Sequence, residues 1–274
     1  MKLINALRIF VAILFLILPI EILGEKVPKY TKMNHVKRKL EENDNYIIVK
    51  YGTETTYGAD KFKNEYRQSV DHIKYNGEKV DLTKDFTIKA NTTIEIYFSE
   101  TTITSLNSFF ATYDSADPNA INITYINLSH FDSSSVTDTN YMFFKCSSLE
   151  EINFNNFNTS KVTGMERMFM ECSNLKSLDL SNFNTSNVKN MQGMFLNAKK
   201  IKYIDLSHLD SSSVDDTSQM FAGCSSLEEI NFNNFNTSKV TDMQEMFYEC
   251  SNLKSLDLSN FDTSNVEKIY SMFS

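Results

Sequence analysis

The sequence predicts an α/β repeat solenoid, a stack of short parallel strands and short helices, with a small β-rich region before it. Three observations favour this fold class. Apolar residues recur every 26 positions over residues 121–274, each repeat holds a strand-like stretch followed by a helix-like one, and residues 46–98 are rich in β-branched and aromatic side chains. A single unit of this length cannot bury its own apolar face, whereas stacked units cover one another.

The period is visible in six residues that stand 26 positions apart without a slip. Residues 146–163 recur letter for letter at 224–241, three periods later, which indicates that a block of three units was duplicated. An interrupted seventh unit is indicated by Ile103, Leu106, Phe109 and Phe110. The six residues in register are Ile123, Leu149, Leu175, Ile201, Leu227 and Leu253.

Two patterns follow one another inside each unit. The stretch LKSLDLSNF at 175–183 alternates apolar and polar residues, which is typical of a strand. The stretch VTDMQEMFYEC at 240–250 places apolar residues at i, i+3, i+6, i+7 and i+10, which is typical of a helix. Thr241 with Gln244, and Thr163 with Glu166, have the spacing of a capping box. Each coil is therefore expected to be a strand, a turn and a short helix.

Four segments make up the chain. Residues 1–24 resemble a signal peptide, because a basic start is followed by an apolar run shorter than the ~20 residues that a membrane span needs. An uncleaved signal anchor is the alternative. Residues 25–45 form a charged linker with a short helix at 33–42, and residues 46–120 form a β-rich N-terminal region or cap with an Asn76-Gly77 turn. Residues 121–274 form the solenoid of six units, the last incomplete.

Composition and charge exclude several classes of function. Glycine (7) and proline (3) are too scarce for a glycine-rich phosphate loop or a proline-rich linker. The net charge of −8 arises from the repeat region, which makes nucleic acid an unexpected partner. We find no pairing of nucleophile and base, no pair of acid groups and no metal-ligand spacing, so we expect neither an enzyme nor a cofactor nor a metal site.

The wording of the repeats, as in NLKSLDLSNFNTSNVKNMQGMFLNA at 174–198, resembles the BspA-like leucine-rich repeat surface proteins of bacteria and protists. The resemblance covers residues 121–274. It implies a leucine-rich-repeat-like solenoid, a secreted or cell-surface setting, and a role in adhesion or binding. One departure is that Phe183 or an equivalent stands where the leucine-rich repeat consensus has asparagine. An aromatic ladder is therefore expected in place of the usual asparagine ladder.

The candidate binding residues are the polar side chains that alternate with the buried ones on the predicted strands. Solenoids commonly bind ligands on such a face, so we expect a contact surface for protein or glycan, with a merely solvated face as the alternative. A calcium site at Asp179 and Asp205 lacks ligands, because calcium takes 6–8 oxygens. The candidates are Tyr125, Asn127, Glu151, Asn153, Asp179, Tyr203, Asp205, Glu229, Asn231 and Asp257.

The four cysteines share one repeat position, which Ala198 takes in the third unit. We expect buried free thiols there, with bridges Cys146–Cys172 and Cys224–Cys250 as the alternative. His130 and His208 are also equivalent to each other, and they share their position with asparagines in other units, which is typical of a polar surface site.

N-x-S/T sequons mark candidate glycosylation sites. Together these features predict an exported, non-enzymatic repeat protein that is secreted or held at the cell surface and binds protein or glycan there. The membrane is a partner only through an uncleaved N-terminal segment. The alternative is the N-terminal part of a larger multidomain surface protein whose activity lies beyond residue 274. The sequons lie at Asn91, Asn122, Asn127, Asn158, Asn184 and Asn236.

Overall fold

The computed structural model describes residues 45–57, 70–98, 102–111 and 122–274, all of which belong to one compact unit. The predicted signal peptide at 1–24, the linker up to residue 44 and the short helix at 33–42 lie outside the described residues. Within the described ranges, no helix has the length and apolar character that crossing a bilayer requires.

The N-terminal region forms six strands whose apolar residues face inward. A tight turn at Asn76-Gly77, with φ of 54° and 79°, joins the third and fourth strands; both residues take the left-handed conformation that two-residue hairpin loops favour. The strands are β1 (Tyr46–Tyr51), β2 (Thr55–Tyr57), β3 (Val70–Tyr75), β4 (Glu78–Lys79), β5 (Phe86–Ile88) and β6 (Thr93–Phe98).

Four short strands belong to the repeats, and the first of them joins the N-terminal sheet. They are β7 (Ile123–Asn127), β8 (Glu151–Asn153), β9 (Tyr203–Asp205) and β10 (Glu229–Asn231). The largest sheet has the order β4-β3-β6-β1-β7-β8, while β9 pairs with β10 and β2 with β5. Because β1 pairs antiparallel with β7, and β7 pairs parallel with β8, one sheet runs from the N-terminal region into the first two coils.

Successive coils stack in the predicted register of 26 residues. Parallel bridges link Asp138 to Gly164 and Gly164 to Asn190, and the same step repeats as far as Lys268. The phenylalanine of each Met-Phe pair stacks on its counterpart, with ring centroids 5.5 Å apart for Phe143 and Phe169. The interrupted seventh unit is confirmed, since Ser105 bridges to Asp138 and the Phe110 ring stacks on Phe143.

The predicted fold class, an α/β solenoid with short helices, is wrong, because the described residues contain no α-helix. At 240–250, the backbone N–H groups of Glu245 and Phe247 donate to the carbonyls of Tyr270 and Met272 in the next coil. A helix would use both N–H groups within itself. The N–H group between them, that of Met246, donates instead to the carbonyl of Met243, three residues earlier in the same coil.

Backbone conformation explains why these turns do not extend into a helix. Glu245 has a φ of 55° and Glu249 a φ of 56°, so a left-handed residue interrupts the segment every fourth position. The proposed capping boxes are also wrong, since the hydroxyl of Thr241 donates to the carbonyl of Asp215, and that of Thr163 to the carbonyl of Thr137. The segment is therefore a chain of turns that is hydrogen-bonded laterally to its neighbours.

A buried hydroxyl replaces backbone pairing at another corner of the coil. Thr159, only 1% exposed, accepts a hydrogen bond from the N–H of Asn184 at 2.8 Å and donates one to its carbonyl at 2.9 Å. Thr237 makes the same two contacts with Asp262. These hydroxyls satisfy the backbone polar groups of the next coil where no strand pairing does so.

Candidate functional site

Each coil places three polar positions on one surface, which we call the strand face: residues 125, 127 and 129 and their equivalents every 26 residues. Alternation along β7 buries Ile126 completely and turns Tyr125 and Asn127 outward. All ten candidate binding residues lie at the first two of these positions. The sequence therefore placed them on one face, and each of them is at least partly exposed.

The middle position of the strand face also has a structural role that sequence reasoning missed. The Oδ1 atom of Asn127 accepts a hydrogen bond from the N–H of Ser129 at 2.9 Å, forming an Asx turn. In the sequence, an Asn or Asp two residues before a Ser or Asn is the pattern that could have indicated these turns. The same contact occurs at Asn153, Asp179, Asp205, Asn231 and Asp257.

These turns change the electrostatics of the face. Hydrogen bonds from the hydroxyl and the N–H of Ser181 lower the pKa of Asp179, and Ser207 lowers the pKa of Asp205 in the same way. The pKa of Asp257 is likewise lowered by Ser259. These carboxylates are therefore charged at neutral pH.

Four of the candidate residues meet at a groove of about 540 Å³ between β10 and the sixth coil. The groove forms because β10 pairs with β9 on one side, while no backbone hydrogen bond links Glu229–Asn231 to residues 255–257 on the other. The other six candidates do not line it. Its lining residues are Tyr203, Glu229, Ile230, Asn231, Phe232, Asn233, Ser255, Leu256, Asp257 and Asn260.

Two further cavities lie in the repeats. One of about 580 Å³ is lined by Asn155, Phe157 and Asn182, among others. One of about 720 Å³ lies beside the last coil against apolar side chains such as Phe247 and Phe273, and contains none of the candidate residues. We therefore take the polar groove as the site, because its lining can form directed hydrogen bonds.

The sequon asparagines are spread over the described chain rather than gathered in one place. Asn91, Asn158, Asn184 and Asn236 are exposed, whereas Asn122 and Asn127 are half-buried. Glycosylation at any of them stays a prediction.

The cysteines are free thiols, and Cys146, Cys172 and Cys224 are buried. Burial raises the pKa of the Cys172 thiol well above its usual range, and raises that of Cys250 to about 11. The Cys172 thiol donates to the carbonyl of Phe143 at 3.1 Å. A protonated, hydrogen-bonded thiol of this kind is a packing residue rather than a nucleophile.

Two histidines of the repeats, His130 and His208, lie apart from the groove. His130 is exposed and stacks on Tyr46 with ring centroids 4.6 Å apart, and His208 is also exposed. In the part of the chain that the structure describes, no group of three His, Cys, Asp or Glu residues is arranged to hold a metal ion.

The structure contains a polar cluster on the opposite side of the coils that the sequence did not predict. The hydroxyl of Tyr141 donates to Glu166 at 2.5 Å, and Arg167 pairs with Glu166 at 2.7 Å while its guanidinium lies 5.6 Å from the centre of the Tyr141 ring. Desolvation, followed by the contact with Glu166, raises the pKa of Tyr141. The three residues satisfy one another, and the cluster ties the first coil to the second.

Comparison with known proteins gives one family. The model described as "Mycoplasma protein of unknown function, DUF285" matches residues 104–204 and 198–274. No curated protein and no solved structure matches the chain. The resemblance to BspA-like leucine-rich repeat proteins is not addressed by this family and stays a prediction.

Proposed function

Because the chain belongs to the family described as "Mycoplasma protein of unknown function, DUF285", whose description assigns no activity, we propose a function from the geometry. The protein is a non-enzymatic binding module that uses its strand face to bind a protein or glycan at the cell surface. The observation that carries this proposal is the groove beside β10, where Tyr203, Glu229, Asn231 and Asp257 converge.

The groove has the chemistry of a recognition site. Tyr203 is 48% exposed, and neither its hydroxyl nor the carboxylate of Glu229 has a hydrogen-bond partner among the described residues. An exposed tyrosine supplies contact area at low entropic cost, and an unpaired carboxylate supplies a directed acceptor. Their backbone is held by the β9–β10 pairing, so the two groups are presented on a fixed support.

Export supports the surface location, through the signal peptide that the sequence predicts at residues 1–24. The proposal keeps both placements open to experiment: release after cleavage, or retention by an uncleaved anchor. Protease treatment of intact cells distinguishes an exposed module from an internal one.

Binding is tested with purified protein on arrays of immobilised glycans and extracellular proteins. We expect the double variant Tyr203→Ala/Glu229→Gln to bind at least ~10-fold more weakly, because truncation of a central aromatic contact commonly costs this much. Tyr248→Ala is the matched control, since Tyr248 is 37% exposed but does not line the groove. Equal binding by both variants and the parent protein would contradict the proposal.

A further inference from the structure

We propose that the groove is one of two equivalent carbohydrate sites three coils apart, so that the strand face holds one neutral polysaccharide chain at two points. This inference rests on the proposed function and names its ligand class. We call the groove at Tyr203 and Glu229 the second groove, and its counterpart 78 residues earlier, at Tyr125 and Glu151, the first groove.

The first observation is that every residue lining the second groove has an identical residue 78 positions earlier. Most polar members of the first groove have matching exposure as well: Glu151, Ser177 and Asp179 are exposed, and Asn153 is half-buried, like their counterparts. Tyr125 differs, because it is half-buried whereas Tyr203 is exposed. The pairs are Tyr125 with Tyr203, Glu151 with Glu229, Asn153 with Asn231, Ser177 with Ser255, Asp179 with Asp257, and Asn182 with Asn260.

The second observation is that the backbone opens at the same place in both blocks. β8 pairs with β7 but makes no backbone hydrogen bond to residues 177–179, just as β10 pairs with β9 but not with residues 255–257. The cavity of about 580 Å³ lies beside the first opening, at the corner that follows β8. It contains Asn155 and Asn182, the counterparts of two residues in the second groove, but Tyr125, Glu151 and Asp179 do not line it. The first opening lies between coils in the interior of the stack.

The third observation is that the two blocks differ mainly on the other side of the coils. Arg167 corresponds to Glu245, Tyr141 to Gln219, and Lys145 to Gly223. Substitutions since the duplication have therefore changed charge and size on that side, while the groove residues are unchanged. The strand face itself carries one change, at Asn127 and Asp205, and neither residue lines the second groove.

The lining chemistry favours an uncharged sugar. Tyrosine offers an apolar ring face, while asparagine, serine and carboxylate groups pair with hydroxyls as donors and acceptors. The Asx turns engage the Oδ1 atoms of Asn231 and Asp257, and the side chain of Asn231 also hydrogen-bonds Asp205. Among the residues lining the second groove there is no lysine or arginine to attract an anionic ligand.

The spacing of the grooves suits a polymer. Three coils at the ~4.8 Å separation of neighbouring strands place the two grooves about 14 Å apart along the stack. A chain lying along the strand face reaches both grooves, and the second contact then forms at high effective concentration. A ligand of one or two sugars reaches only one groove.

The test uses neutral glucan, mannan and N-acetylglucosamine chains, both short and long, in titration calorimetry with the full chain. The matched double variants are Glu151→Ala/Asp179→Asn for the first groove and Glu229→Ala/Asp257→Asn for the second. Asparagine keeps the Asx turn, because it already occupies this position in Asn153. Thermal unfolding of each variant checks that it is folded.

We expect one long chain per protein and two short chains per protein. Each variant weakens long-chain binding by about 10²-fold, and leaves one short chain bound with unchanged affinity. An unchanged long-chain affinity in the first-groove variant overturns the twin site and leaves the proposed function standing. Binding to an immobilised protein through the same residues, with no saccharide bound, overturns the ligand class alone. Variants that change no binding at all overturn the proposed function itself.

Discussion

Replacing the hydroxyl of Thr159 by a methyl group tests whether side-chain hydroxyls hold neighbouring coils together. Thr159 is 1% exposed, and its Oγ1 atom makes hydrogen bonds of 2.8 and 2.9 Å to the N–H and carbonyl of Asn184. The variant Thr159→Val keeps the shape of the side chain but leaves both backbone groups of Asn184 without this partner. The perturbation is therefore confined to one hydroxyl.

The expected cost follows from the two contacts. A buried polar group that loses its partner costs about 1–3 kcal/mol, and the Asn184 side is partly open to water, so we expect about 2 kcal/mol for Thr159→Val. Thr159→Ser keeps the hydroxyl and loses one methyl group, which costs about 1 kcal/mol. Serine does the same task elsewhere, since Ser133 accepts from the N–H of Asn158 at 2.6 Å.

Urea unfolding gives the free energies, and hydrogen exchange of the Asn184 amide reports the local effect, because repeat arrays need not unfold in a single step. Thr163→Val is the control, since the Thr163 hydroxyl is exposed and its loss should cost under about 0.5 kcal/mol. If the valine variant is as stable as the serine variant, and the Asn184 amide is equally protected in both, the hydroxyl does not hold the coils together.

Two further predictions concern titratable groups. The pKa of Asp179 and Asp205 is lowered in the fold, so their contribution to stability is present above their unfolded pKa of about 3.9 and is lost as the pH falls through the lower folded value. The double variant Asp179→Asn/Asp205→Asn should flatten this acid loss in urea midpoints measured against pH; an unchanged slope would contradict it. Cys172 should resist a thiol reagent in the native protein at pH 8, while half-buried Cys250 reacts first, and mass spectrometry of the labelled peptides checks this order.

The stacking register could be predicted from the sequence because the buried positions recur every 26 residues. This recurrence is the same whether the backbone between them forms helices or turns. The columns headed by Ile123 and Phe143 depend only on which positions are apolar, and both residues are buried. The aromatic ladder follows the same logic, since the rings of Phe131 and Phe157 lie 6.4 Å apart in successive coils. The stacking of the coils could therefore be predicted from the size and polarity of the side chains.

The apolar pattern alone could not show that the expected helices are absent. Consecutive turns of three to four residues return apolar side chains to the interior at the spacing of a helix, so the periodicity does not separate the two. What decides between them is a left-handed residue such as Tyr141 or Arg167, at φ of 57° and 50°. Neither residue type signals that conformation, which the neighbouring coil stabilises by accepting the N–H of Tyr141 at 2.8 Å.

The location of the groove depends on the same competition between bonding within a coil and bonding between coils. On the turn side, the backbone N–H groups of residues such as Phe169 and Phe221 donate to carbonyls of the next coil. Because this contact recurs from coil to coil, no gap opens between the backbones there. On the strand face, pairing is interrupted beside β8 and β10 and also between residues 177–179 and β9, and in the described part of the chain the polar groove lies at the interruption beside β10. The alternation of polar residues in the sequence predicted which face of the coils is exposed. The position of the groove on that face depends on where the strand pairing stops, which the sequence pattern does not indicate.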